Sequence, residues 1–157
     1  MEFGGCFLNK RLNRNNDGGT IRRTTDIFQL ATTVLFQNPV QNFALAPNNL
    51  KDVSPVCMDY MKKIPTTWDE ACFIDGYPGK YVVLARRHGN TWYLAAVNAG
   101  KEIVKLKLDL DMFAGKTVSL YKDDKKGEPQ LVTLKVKESG KVQLEILPQG
   151  GVVLVNN

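Results

Sequence analysis

A mainly β fold, an antiparallel β-sandwich preceded by two helices, is what this sequence predicts. Three observations carry that reading. From Thr66 onward apolar and polar residues alternate with period two, the mark of strands buried on one face. Turn chemistry interrupts the alternation at spacings of about 8–12 residues, as it does in sandwiches. Before Thr66 the apolar residues recur at helical spacing instead, in two runs that each open on a capping residue. The chain therefore divides into residues 1–65, a loop with two helices, and residues 66–157, the sandwich.

In chain order, residues 1–23 carry no regular pattern, and the stretch from Asn9 to Gly19 is polar, basic and closed by two glycines. Thr24-Thr25-Asp26 opens the first helix: a threonine caps the free N–H groups, and Asp26 suits the positive end of the helix dipole. Ile27, Phe28, Leu30, Ala31, Val34 and Leu35 share one face, and Pro39 stops the helix near Gln37. Pro47-Asn48-Asn49 reads as a turn. Ser54 caps the second helix, Pro55 fits its first position, and Val56, Cys57, Tyr60, Met61 and Ile64 form its stripe. Three strands follow at residues 68–74, 80–87 and 91–98. Asp75-Gly76-Tyr77-Pro78-Gly79 joins the first two and His88-Gly89-Asn90 the last two. Residues 103–108, 117–121, 131–137 and 142–146 alternate as further strands, and 152–155 complete the set, with a short connection or one helical turn at 109–114.

The 157 residues suffice for one medium domain, or a small one with an appendage. No apolar run approaches the roughly 20 residues that span a bilayer, and Met1-Glu2-Phe3 lacks the basic start and apolar core of a secretion signal. The net charge of +5 comes with lysines scattered over alternate strand positions, which is a solvated face. Nucleic acid would need a basic cluster interleaved with stacking aromatics. Neither a membrane nor a nucleic acid is an expected partner. Cys6, Cys57 and Cys72 are odd in number and lack CxxC spacing, so no zinc site or disulfide framework follows; Cys57 and Cys72 read as small buried hydrophobes. His88 stands alone in a hairpin loop, and Asp17-Gly18-Gly19 lacks the spaced oxygens of a calcium loop, so no metal is assigned.

The stretch TTWDEACFIDGYPGKYVVLARRHGNTWYLAAVNAG, residues 66–100, resembles the start of the C-terminal β-domain of glycoside hydrolase family 97, which includes α-glucosidases and α-galactosidases. The run GGTIRRTTDIFQLATTVLFQNPVQNFALAPNN before it resembles that family's segment where the catalytic (β/α)8 barrel ends. The resemblance covers essentially the whole chain. It implies that the two helices are left from the end of a barrel and that the sandwich is an accessory, structural domain of an α-glycoside hydrolase. It also implies that the catalytic carboxylates and a bound calcium ion belong to barrel segments that would precede Met1. The implied partner is that barrel. The chain leaves localisation unknown, and the resemblance implies the periplasm or exterior of a bacterium.

Glycoside cleavage uses two carboxyl groups about 5–10 Å apart across the sugar. Asp69-Glu70 is the tempting pair, but neighbours on a regular strand point to opposite faces. Asp123-Asp124 falls in a lysine-rich turn and reads as solvated. The resemblance implies that residues 1–5 stand near the final barrel strand, which would bring Glu2 close to the parent's active site; a frayed terminus is the reading taken. No catalytic residue is assigned, and the chain is expected to be inactive alone. The alternative is a carbohydrate-binding module, for which the aromatic candidates are Trp68, Tyr77, Trp92 and Tyr93, with Trp92 and Tyr93 facing opposite ways. The helical stripe from Ile27 to Leu35, together with Phe3, Phe7, Leu8, Phe36, Val40 and Phe43, demands cover. It must pack back on the sandwich or meet a second copy in a homodimer.

Overall fold

Both helices begin on the residues read as caps. The computed structural model describes residues 4–6, 22–45, 47 and 50–156. Glu2, Phe3, Phe7, Leu8, Asp17-Gly18-Gly19 and the Asn48-Asn49 turn lie outside them. Helix α1 runs Asp26–Leu35, and the Thr25 hydroxyl accepts from the Phe28 N–H at 3.1 Å. Helix α2 runs Pro55–Met61 with Ser54 Oγ accepting from the Val56 N–H. α1 ends two residues short of Gln37; the Phe36 N–H closes its last turn and the chain there turns extended.

Eight strands follow: β1 (Glu70–Tyr77), β2 (Tyr81–His88), β3 (Thr91–Asn98), β4 (Val104–Asp109), β5 (Thr117–Asp123), β6 (Pro129–Lys135), β7 (Lys141–Ile146) and β8 (Gly151–Asn156). One turn of 3-10 helix, Asp111–Phe113, occupies the connection expected at 109–114. Six strands form an antiparallel sheet in the order β1-β2-β3-β8-β5-β6, and β4 pairs with β7 as a separate ribbon. The ribbon lies on one face of the large sheet. Between them Leu94, Leu106, Phe113, Val118, Ile146 and Leu154 make the main core. The alternation of β4 and β7 is clean because the ribbon's outer face is bare.

The helices cover the other face of the large sheet, giving a helix layer, a six-stranded layer and a two-stranded layer. Ile27, Leu30 and Val34 of α1 are sealed against Ala95 of β3 and Val153 of β8. Of the two covers open to the α1 stripe, the structure uses the sandwich, but Phe36 and Val40, expected under the same cover, stay exposed beyond the end of the helix. Strand β8 is consequently buried on both faces, Val152 and Leu154 toward the ribbon and Val153 toward the helices. That is why it reads as a continuous apolar run.

Strand β1 departs from the sequence reading. It starts two residues later than Trp68 and runs on through Asp75-Gly76, which had the composition of a turn. A bulge between Phe73 and Asp75 re-registers the ladder against β2. Gly76 tolerates this because a Cβ there would stand 2.9 Å from the Tyr81 carbonyl oxygen. The turn itself sits at residues 78–80.

Candidate functional site

The four aromatic candidates occupy different places. Trp68 and Tyr93 stack edge to face on the helix side, with ring centroids 5.3 Å apart, and both are half-buried against the helix-side core. The Arg86 guanidinium lies 5.9 Å from the Trp68 ring and donates to the Leu35 carbonyl at 3.3 Å; its burial pulls its pKa down. Trp92 faces the ribbon, half-buried, with Arg87 6.0 Å from its ring. Tyr77 stands at the far end of the hairpin, 61% exposed. Tyr77 pairs with Tyr81 while Trp92 pairs with Arg87, and six residues along β2 are roughly 20 Å. The structure therefore joins Trp68 with Tyr93 and leaves Tyr77 and Trp92 apart.

Around Tyr77 lies the one surface feature with a distinctly apolar lining among the described grooves. It holds about 340 Å³ between Phe73, Tyr77, Tyr81, Val82, Val97 and Ala99, with Lys80 at its rim. The Lys80 ammonium sits 4.8 Å from the centroid of the Tyr77 ring. Phe73, the residue that sequence reasoning missed, is 68% exposed. It points to the helix side, opposite Leu84, where α1 no longer reaches. Near it, Asp75 makes one bond through each oxygen: one accepts from the Gly76 N–H at 2.8 Å, the other from the Tyr81 hydroxyl at 3.1 Å. The signal in the sequence was the aromatic pair Phe73 and Tyr77 around Asp75-Gly76, which reads as core plus turn until the bulge is seen.

The carboxylates serve the fold. Asp69 precedes β1, so strand alternation does not govern it, and both Asp69 and Glu70 turn to one guanidinium, Arg87, at 3.4 and 3.2 Å. The expectation that they diverge fails on that point. Asp69 also accepts from the Gly89 N–H at 2.7 Å, fastening the start of β1 to the β2–β3 turn.

Asp123 corrects a second expectation. It is not solvated: Oδ2 accepts from the Thr25 hydroxyl at 2.9 Å and the Gly151 N–H at 3.0 Å, clasping the start of α1 to β5 and β8. Burial pushes its pKa up to about 6 against the lowering effect of those two bonds. Asp124 next to it is pulled down by the backbone N–H groups of Glu128 and Lys126. Such a divergence is the pattern of an acid and base pair. Here Oδ1 of Asp123 is sealed from solvent without a partner, and Asp124 caps its own turn. Asp123 is thereby engaged inside the fold and Asp124 in its own turn.

Cys57 lies buried between the helices, and burial followed by the Asp26 charge pushes its thiol up to about 12, the state of an inert hydrophobe. His88 Nδ1 bonds the Thr67 carbonyl at 2.9 Å. Among the described residues no three His, Cys, Asp or Glu side chains cluster closely enough to hold a metal ion. Nor is any described helix long and apolar enough to cross a membrane.

Comparison with known proteins adds the family. The model described as "Glycosyl-hydrolase 97 C-terminal, oligomerisation" matches residues 67–156. A retaining alpha-galactosidase of Bacteroides thetaiotaomicron is 29% identical over 135 residues, 80% of this chain and 20% of that protein. Among solved structures, a beta-arabinopyranosidase superposes over 99% of this chain and 25% of its own, with TM-score 0.95 and 82% identity. A variant of a Glycoside Hydrolase Family 97 enzyme from Pseudoalteromonas sp. strain K8 covers 98% of this chain and 25% of its own, with TM-score 0.80 and 27% identity. The chain thus spans a fifth to a quarter of the length of these relatives.

Proposed function

This chain belongs to the glycosyl-hydrolase 97 C-terminal family, and from that premise we propose that it acts as the accessory, non-catalytic domain of an α-glycoside hydrolase. Its partner is the catalytic domain of the parent enzyme, which the resemblance gives as a barrel; this chain covers a fifth to a quarter of such enzymes. One observation carries the reading: carboxylates that the sequence offered for catalysis, Asp69, Glu70 and Asp123, are each committed to holding elements together. The carboxylate pair, and the calcium ion that the family resemblance implies, belong on this reading to the parent's other residues. The parent's substrate is proposed as an α-galactoside or an arabinopyranoside, after the relatives' names. The two sugars are close, since L-arabinopyranose is D-galactopyranose without its exocyclic carbon. An α-glucoside is the further candidate, and the bacterial periplasm or exterior the proposed location.

The test is direct. The purified chain is expected to leave aryl α-galactosides, aryl α-glucosides and aryl arabinopyranosides uncleaved. Turnover that survives repurification and chelation controls would overturn the reading. The exposed ring of Tyr77 favours a second reading, a carbohydrate-binding module, with Trp68, Trp92 and Tyr93 as weaker candidates. Isothermal titration with maltooligosaccharides and galactosides decides it: heat of binding lost in Tyr77→Ala would establish the module, and flat heats at millimolar sugar would remove it.

A further inference from the structure

We propose that the guanidinium of Arg86, sealed between the end of α1 and strand β2, is the seat of a small inorganic anion of the chloride class. Arg86 stands opposite Tyr93 on the helix side of the large sheet, and only 5% of it is exposed. Nη2 donates to the Leu35 carbonyl at 3.3 Å, while Nε and Nη1 are both closed off from solvent without a partner. Among the described residues no carboxylate pairs with Arg86. The acids at this end of the sheet, Asp69 and Glu70, go to Arg87, which faces the other way. Burial is the cause that pulls the Arg86 pKa down, and an acid close by would push it back up. A guanidinium stays charged even so. A buried cation without its counter-charge costs far more than an unpaired neutral group.

The surroundings are rich in donors and poor in acceptors. The Trp68 ring lies 5.9 Å from the guanidinium, and its indole N–H is also sealed without a partner. Asn38, three residues past Leu35 and 4% exposed, spends its Oδ1 on the Val40 N–H. Its Nδ2 is therefore a donor, and that too is sealed without a partner. Against these four nitrogen atoms the segment leaving α1 offers one sealed acceptor among the described residues, Gln41 Oε1. The Leu35 carbonyl, at the negative end of the α1 dipole, answers one N–H of Arg86 and part of its charge. The other N–H groups and the balance of the charge call for an anion.

Burial sets the size of that anion. A carboxylate from another part of the parent enzyme would reach Arg86 from outside, and Nε and Nη1 are closed off within this chain alone. The occupant is therefore small enough to be enclosed. Water answers the hydrogen bonds and leaves the charge uncompensated; a monatomic anion answers both. Exposed Phe36 and Gln37 directly follow Leu35, so an opening of this one segment admits the ion. Once bound, the ion fixes Arg86, and through the Leu35 carbonyl the end of α1, against β2.

Two measurements on the whole chain test the proposal. In crystals grown with bromide as the halide, anomalous scattering is expected to place a bromide within hydrogen-bond distance of Arg86 Nε or Nη1. In denaturant titrations at constant ionic strength, chloride replaces gluconate, which is too large to be enclosed. Chloride at ten times its dissociation constant should raise the folding equilibrium constant about tenfold. Arg86→Met should abolish this dependence, and Lys80→Met, which removes an exposed cation, should keep it. An ordered water without anomalous signal at Arg86 overturns the proposal. So does a bromide seen at crystal concentration only, with no chloride effect in solution, or a chloride effect that Arg86→Met retains. The bromide signal and the wild-type titration need no variant, so they decide even where Arg86→Met fails to fold. The accessory reading stands or falls separately, on the hydrolysis assays.

Discussion

The middle of the large sheet and its β1 end are built from the same kinds of residue and solve opposite problems. In the middle, β3 and β8 have a partner strand on each edge and a packed layer on each face. At the β1 end the strand has one neighbour, and its helix-side aromatic, Phe73, meets no second layer. Leu154 and Phe73 are both large apolar strand residues. Only the first belongs to the fold. The difference teaches what the fold itself fixes: burial on both faces holds the centre, and the edge is left uncovered.

Three substitutions sharpen the contrast. The largest effect belongs to Leu154→Ala, which empties a fully buried position between sheet and ribbon and should cost about 2–5 kcal/mol in a denaturant titration. The intermediate effect belongs to Asp123→Asn, at the clasp between α1 and the sheet. The folded-state pKa of Asp123 is raised to about 6, so the folded protein binds this proton more tightly than the unfolded chain. The stabilisation is full below the unfolded carboxylate range near 4 and is lost as pH rises through about 6, on the order of 2–3 kcal/mol. Thr25, Gly151, Asp26 and Asp124 surround the group. Wild-type stability should therefore gain relative to Asp123→Asn as pH falls from 7 to 4.5, and parallel profiles would remove Asp123 from the clasp. The smallest effect is Phe73→Ser, which should change the monomer's unfolding free energy by less than about 0.5 kcal/mol, as exposed positions do. A loss comparable to Leu154→Ala would erase the distinction between centre and end.

Local chemistry was legible and tertiary placement was not. Thr25 and Ser54-Pro55 mark helix starts through bonds to their own next few residues, so the sequence suffices to find them. The period of two located the strands, while the double burial behind the apolar run of β8 came only with the structure. The partition of those strands, six against two with helices as a third layer, depends on pairings between residues far apart in the chain, such as β3 with β8. Asp123 looked solvated because its sequence neighbours are lysines and turn residues. Its real neighbours, Thr25 and Gly151, come from 98 positions before and 28 after it. Phe73 was passed over for the converse reason: nothing local marks it as uncovered, and only the limit of α1 leaves it bare. Of the aromatic candidates, Trp92 and Tyr93 obeyed alternation, one toward each face.

The central contrast is tested most directly by hydrogen exchange followed by mass spectrometry on a dilute, monomeric sample. The amides of β3 and β8 should exchange only through global unfolding, with protection equal to the full stability of the domain. Those of residues 73–79 should open locally and exchange orders of magnitude sooner. If that segment is as protected as β8 at dilution, or if β3 and β8 exchange first, the division between a structural centre and an uncovered edge is wrong.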